Sequence, residues 1–170
     1  MTTIRLYAQP YDFHASGFYF ETLEEYDTKR EAMRNEFGQP VEEFEIQFID
    51  GDSAACHLFE AARGSQGDLT AFFDAIETWD EFDIEKATIA LAENLTGETL
   101  GTIDPGQLDI DVYRVDTWRD LAEQFVDDGL FGEIPDHLAN YIDYDAIARD
   151  LQHDYSETTA TGERLIYRAD

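Results

Sequence analysis

Within residues 42–52, EEFEIQFIDGD, polar and hydrophobic positions alternate from Glu43 to Phe48: Phe44, Ile46 and Phe48 fall on one side, Glu43, Glu45 and Gln47 on the other. That period of two predicts a half-buried β-strand over 43–49 whose outward face is acidic. Strands are also predicted at 4–8 and 17–21. A helix is expected near 23–37, opened by the capping box of Thr22 and Glu25 and stopped by Gly38 and Pro40. From residue 54 the period changes to 3.6, with helices predicted near 54–63, 68–79 and 82–94, separated by GSQG and TGETLGT. The last third returns to mixed structure. It begins with a strand at 110–115 and a helix from Thr117 whose Trp118, Leu121, Ala122, Phe125 and Val126 form one apolar stripe. Helical turns follow Pro135 and Asp143, and strands close the chain near 155–160 and 164–168. The expected fold is α+β, an elongated chain of three small units: an α+β unit over 1–53, a helical bundle over 54–105 and a second α+β unit over 106–170. Units of about 50 residues are individually marginal, so each should be docked on the next.

Composition changes the picture through charge. The chain has 170 residues, 43% of them hydrophobic, with 12 Phe, 9 Tyr and 2 Trp, which suits packed cores rather than disorder. Against 11 basic residues stand 39 acidic ones, a formal charge of −28, and Lys29 and Lys86 are the only lysines. Residues 1–60 carry 13 acids and 4 bases, 61–104 carry 10 and 2, and 105–170 carry 16 and 5, so there is no acidic tail and the whole body is acidic. Such a field repels nucleic acid and anionic membranes and selects basic partners. A single cysteine, Cys56, excludes an intrachain disulfide. The opening MTTIRLYAQPYDF lacks a secretory pattern, and no apolar run nears the roughly 18 residues of a membrane span, so a cytoplasmic protein is expected.

Candidate chemistry is sparse. His14, His57, His137 and His153 lack metal-ligand spacing, and DGDSAACHLFE fails as a calcium loop because Ala54, Ala55 and Ala61 stand where a ligand, a Gly and a Glu are needed. Neither a nucleophile elbow nor a phosphate loop occurs, and Cys56 beside His57 is only a pair of sequence neighbours. No metal, cofactor or catalytic residue is therefore expected. Some acids serve helix N-termini, as at Asp68, Asp143 and the Thr117/Asp120 box, and Asp145 can pair with Arg149 at i, i+4. Others oppose stability, since Asp150 with Asp154 and Asp127 with Asp128 crowd like charges. Three readings accommodate this surface: a halophile-type acidic protein that binds some other basic partner, a carboxylate-dependent enzyme, or a surface whose acids stand where phosphates would. By count, 28 charges match about 48 Å of duplex at roughly 1.7 Å per charge.

The segment LFGEIPDHLANYIDYDAIARDL, residues 130–151, decides among them. Through Gly132, Glu133, Ile134, Pro135, Leu138, Asn140, Tyr141, Ile142, Asp143, Tyr144, Ala148, Arg149, Asp150 and Leu151 it resembles the most recognisable stretch of the ArdA-type antirestriction proteins. Weaker likenesses lie in IRLYAQPYDFHASGFYF, EEFEIQFID and RLIYRA, in the family's order. The resemblance implies an elongated DNA mimic that occupies the DNA groove of type I restriction and modification enzymes without enzymatic activity. It also implies a cytoplasmic product, typically of mobile elements, that dimerises through its C-terminal region. Within the motif, Pro135 suits a first helical position and Leu138, Ile142, Ile147 and Leu151 a core or dimer face. The acids expected to stand in for phosphates are Asp127, Asp128, Glu133, Asp136, Asp143, Asp145, Asp150 and Asp154, continued by Glu42, Glu43, Glu45, Asp80, Glu81, Asp83, Asp109 and Asp111.

Overall fold

The computed structural model describes residues 3–170 and divides into two compact units, one of residues up to 108 with 160–162, the other of 109–159 with 163–170. The chain is mixed α and β, with six helices and two small sheets among the described residues. The expected three-unit arrangement is not confirmed: the first sheet and the three helices after it lie in one unit.

In the first unit, β1 (Arg5–Pro10) is the centre of an antiparallel sheet between β2 (Phe18–Phe20) and β3 (Phe44–Asp50). Leu6 faces Phe20 and Phe48, and Ala8 faces Phe18 and Ile46. The period of two therefore gathers one row of apolar side chains on the inner face, while Glu43, Glu45 and Gln47 point outward and are exposed. Helix α1 (Leu23–Ala32) covers that inner face through Tyr26, whose ring lies 4.9 Å from Phe20 and 6.3 Å from Phe44. The expected helix to residue 37 is five residues too long. Its end is set by Asn35, a buried side chain whose Oδ1 accepts from the backbone N–H of Phe37 and Gln39, winding 34–40 into a loop instead of a further helical turn. Gly38, at φ 76, closes this loop and not the helix.

Helices α2 (Ser53–Ala61), α3 (Leu69–Thr78) and α4 (Glu81–Ala92) fulfil the predicted 3.6-residue periods, with ends moved by one or two residues. Aromatic contacts join them to the sheet, with Phe48 at 6.2 Å from Phe59 and 6.5 Å from Phe72, and Phe20 at 6.5 Å from Phe73. In α4 five consecutive residues, Lys86 to Ala90, are buried, the signature of a helix surrounded on all sides. The Lys86 ammonium is satisfied there by the Pro105 carbonyl at 2.7 Å and the Asp83 carboxylate at 3.4 Å.

In the second unit, β4 (Ile110–Tyr113), β6 (Leu165–Ala169) and β5 (Ser156–Thr158) form an antiparallel sheet with β6 central. Helix α5 (Trp118–Asp127) starts at the predicted Thr117/Asp120 capping box, and its stripe supplies Leu121 and Phe125 to a core with Ile166. Leu151 of α6 (Tyr144–Leu151) packs on the same core. Pro135 does not open a helix: it precedes a turn, and a single 3-10 turn follows at Ala139–Tyr141. Leu138 is exposed rather than in the core, whereas Ile142, Ile147 and Leu151 are half-buried.

Candidate protein-binding surface

Each group of candidate acids is held by a local reason for its backbone. Glu42, Glu43 and Glu45 lead into and lie on the outward face of β3, fixed because Phe44 and Ile46 are buried beneath them. Asp80, Glu81 and Asp83 crowd the N-terminus of α4, where Asp80 caps the helix by accepting the Asp83 N–H at 2.8 Å. Asp109 and Asp111 flank and occupy β4 and are exposed. Asp127, Asp128 and Glu133 line a groove of about 490 Å³ in the second unit together with Val126, Ile134, Ile142 and Tyr144. Asp136, Asp143, Asp145, Asp150 and Asp154 lie before, on and after α6, with Asp143 capping it by accepting the Ala146 N–H at 2.9 Å.

All of these acids are exposed except Asp83, which is half-buried beside Lys86. The basic residues pair mostly with other acids: Lys29 with Glu25, Arg30 with Asp27, Arg114 with Glu163, Arg164 with Glu157 and Arg168 with Asp170. Among the described residues only Asp83 and Asp145 of the sixteen candidates carry an ion pair within 4 Å. Asp145 does not use Arg149, as its spacing suggests. It takes Arg119 of α5 at 3.1 Å, a guanidinium already anchored on Glu123 at 3.0 Å. A planar fork with two carboxylates outcompetes a single i, i+4 contact.

The sequence marks Leu138 for a core or dimer face but assigns no surface role to the other exposed apolar residues. In the first unit Tyr11, Phe13 and Phe37 are exposed on two loops; in the second, Leu130, Phe131, Leu138 and Tyr141 are exposed around the motif. Phe37 falls inside the helix expected over 23–37, so its exposure follows from the earlier end of α1. The loops of the first unit are cross-linked by the Asn35 amide, which donates to the Asp12 carboxylate at 2.9 Å, and by His14 Nδ1 with the Glu36 carboxylate. The Asn35 bond, with the His14 backbone N–H, holds the Asp12 carboxyl below the ordinary aspartate value.

No group of three or more His, Cys, Asp or Glu among the described residues could hold a metal ion, and no helix is long and apolar enough to cross a membrane. Each unit thus exposes candidate carboxylates that, but for Asp83 and Asp145, carry no ion pair among the described residues. The antirestriction protein (ArdA) family matches residues 7–163. The chain belongs to the ArdA antirestriction family. A comparison with curated proteins gives no match. As an ArdA antirestriction protein it has restriction enzymes as its implied partners.

Proposed function

We propose that this ArdA protein is a DNA mimic that inhibits type I restriction-modification enzymes by occupying their DNA-binding groove, with the sixteen acids named above as phosphate surrogates. The observation that supports this most is the pairing pattern: six of the eleven bases contact acids outside the sixteen and only Lys86 and Arg119 contact acids within it, leaving fourteen of the sixteen candidates without an ion pair among the described residues. Held for the most part on strands, helices and their termini rather than on a tail, these carboxylates lose little freedom on binding. The mechanism is occupancy and needs neither cofactor nor catalysis, and it operates in the cytoplasm where the target enzymes act on DNA.

The same reading assigns self-association to the second unit, through exposed Leu130, Phe131, Leu138 and Tyr141, the last of them 83% exposed. It also calls for small units arranged in a row, since matching a long duplex demands length. Small-angle scattering in moderate salt should then give a dimer whose radius of gyration clearly exceeds that of a compact dimer, a single compact 170-residue domain having one of about 15 to 16 Å. A compact monomer would remove this part of the reading. Mimicry itself is tested by competition: increasing protein should displace DNA from a purified type I methyltransferase core, and persistent DNA binding at saturating protein would refute it.

A further inference from the structure

We propose that Tyr11, Phe13 and Phe37 form a rigid aromatic tip on the first unit that receives arginine side chains from the basic surface of the inhibited enzyme. This inference rests on the mimicry reading and adds to it a contact that a phosphate backbone does not offer.

The rings are exposed where a folded chain has every reason to bury them. Phe13 is 101% exposed, and Tyr11 and Phe37 are more than half exposed. The loops that carry them are tied together at several points. Asn35 Nδ2 donates to Asp12 Oδ2, the His14 N–H donates to Asp12 Oδ1 at 2.8 Å, and the Glu36 N–H donates to the His14 carbonyl at 2.9 Å. His14 also meets the Glu36 carboxylate and lies edge-on to the Phe37 ring at 4.8 Å. The Tyr11 N–H donates to the Glu43 carbonyl at 3.2 Å, extending the pairing of β1 with β3 to the base of the tip. Aromatic side chains on a fixed backbone give large contact area for little lost entropy, the combination that concentrates binding energy at protein interfaces.

The surrounding charge selects the occupant. Residues 6–28 and 35–62 contain no lysine or arginine, while Asp12, Glu36, Glu42 and Glu43 lie in or beside the tip. Arg34 forms no ion pair within 4 Å among the described residues, and its Nη1 donates to the carbonyls of Glu31 and Met33. An anionic, aromatic surface fits a cation with a flat apolar face, and guanidinium is that cation. The protein uses the same contact internally: the Arg5 guanidinium lies 4.4 Å from the centre of the Tyr19 ring on the same sheet.

The experiment is DNA displacement from a purified type I methyltransferase core, run at several salt concentrations with the full chain and a Tyr11→Ala/Phe13→Ala/Phe37→Ala variant. The triple variant should inhibit at least tenfold less well, by nearly the same factor at every salt concentration, because the number of ionic contacts is unchanged. Phe13→Ala alone should weaken inhibition severalfold; Phe13→Trp should preserve it and Phe13→Leu should not, since only an aromatic face attracts guanidinium. If the wild-type chain displaces DNA and the triple variant does so equally well, the aromatic tip has no such role and mimicry stands without it. If the triple variant fails to fold, Phe13→Ala decides the matter, and unchanged inhibition overturns the inference. A loss of inhibition accompanied by a changed oligomeric state would assign the tip to a second copy of this chain and also overturn it. Absence of DNA displacement by the wild-type chain would remove the mimicry reading and this inference together.

Discussion

Asp143 places two demands on one carboxylate, capping α6 through the Ala146 N–H while standing exposed among the candidate acids. The demands separate by substitution. Asp143→Asn keeps a capping oxygen and removes the charge, so stability should barely change and inhibition should weaken by about 1 kcal/mol or less, as for one exposed charge in a large array. Asp143→Ala removes the cap as well and should cost about 0.5 to 2 kcal/mol in a urea denaturation series. Loss of all inhibition in a folded Asp143→Asn protein would instead indicate a site of point recognition. Glu157 provides a pH test. The Arg164 hydrogen bond holds its carboxyl below the ordinary glutamate value of 4.5. Because the folded state then binds the proton less readily than the unfolded state, this pair's stabilisation is present above about pH 4.5 and is lost as pH falls through the lower folded value. The acid limb of the wild-type stability curve should therefore be steeper than that of Glu157→Gln; coincident limbs would show that the pair contributes nothing.

At the scale of elements, β3 carries the acids outward because its other face is locked. Phe44 is 3% exposed, so Phe44→Ala should destabilise the first unit by about 3 to 5 kcal/mol, while Glu43→Gln, one residue away, should leave denaturation unchanged. This difference was legible in the sequence, since strict alternation and burial are the same pattern seen twice. The α5 stripe and its capping box were legible for a similar reason, both being written within ten consecutive residues. The end of α1 was not legible. It is set by Asn35 accepting from the Phe37 and Gln39 N–H groups, a competing local turn that the Gly38 and Pro40 stop signals do not reveal, and the same side chain also reaches Asp12, 23 residues away. Arg119 taking Asp145 in place of Arg149 is likewise a contact between two helices, set by how α5 and α6 pack. Exposure of the candidate acids was legible from their charge, Asp83 beside Lys86 excepted; the exposure of Tyr11, Phe13 and Phe37 was not, because an apolar residue looks like core until the fold shows otherwise.

For the whole molecule the proposed binding is electrostatic, and salt is its natural variable. With a formal charge of −28, inhibition should weaken steeply as ionic strength rises, with a slope no steeper than that for DNA on the same enzyme. A halophile-type protein would demand molar salt to fold, whereas a DNA mimic should unfold cooperatively on heating in dilute buffer. The most direct test of the central claim is equilibrium competition between this protein and a fluorescent duplex for a purified type I methyltransferase core, titrated across salt concentrations. The account predicts complete, stoichiometric displacement of the duplex at low salt, with an apparent affinity that falls as salt is added. Duplex that remains bound at saturating protein, or an affinity independent of salt, would contradict it.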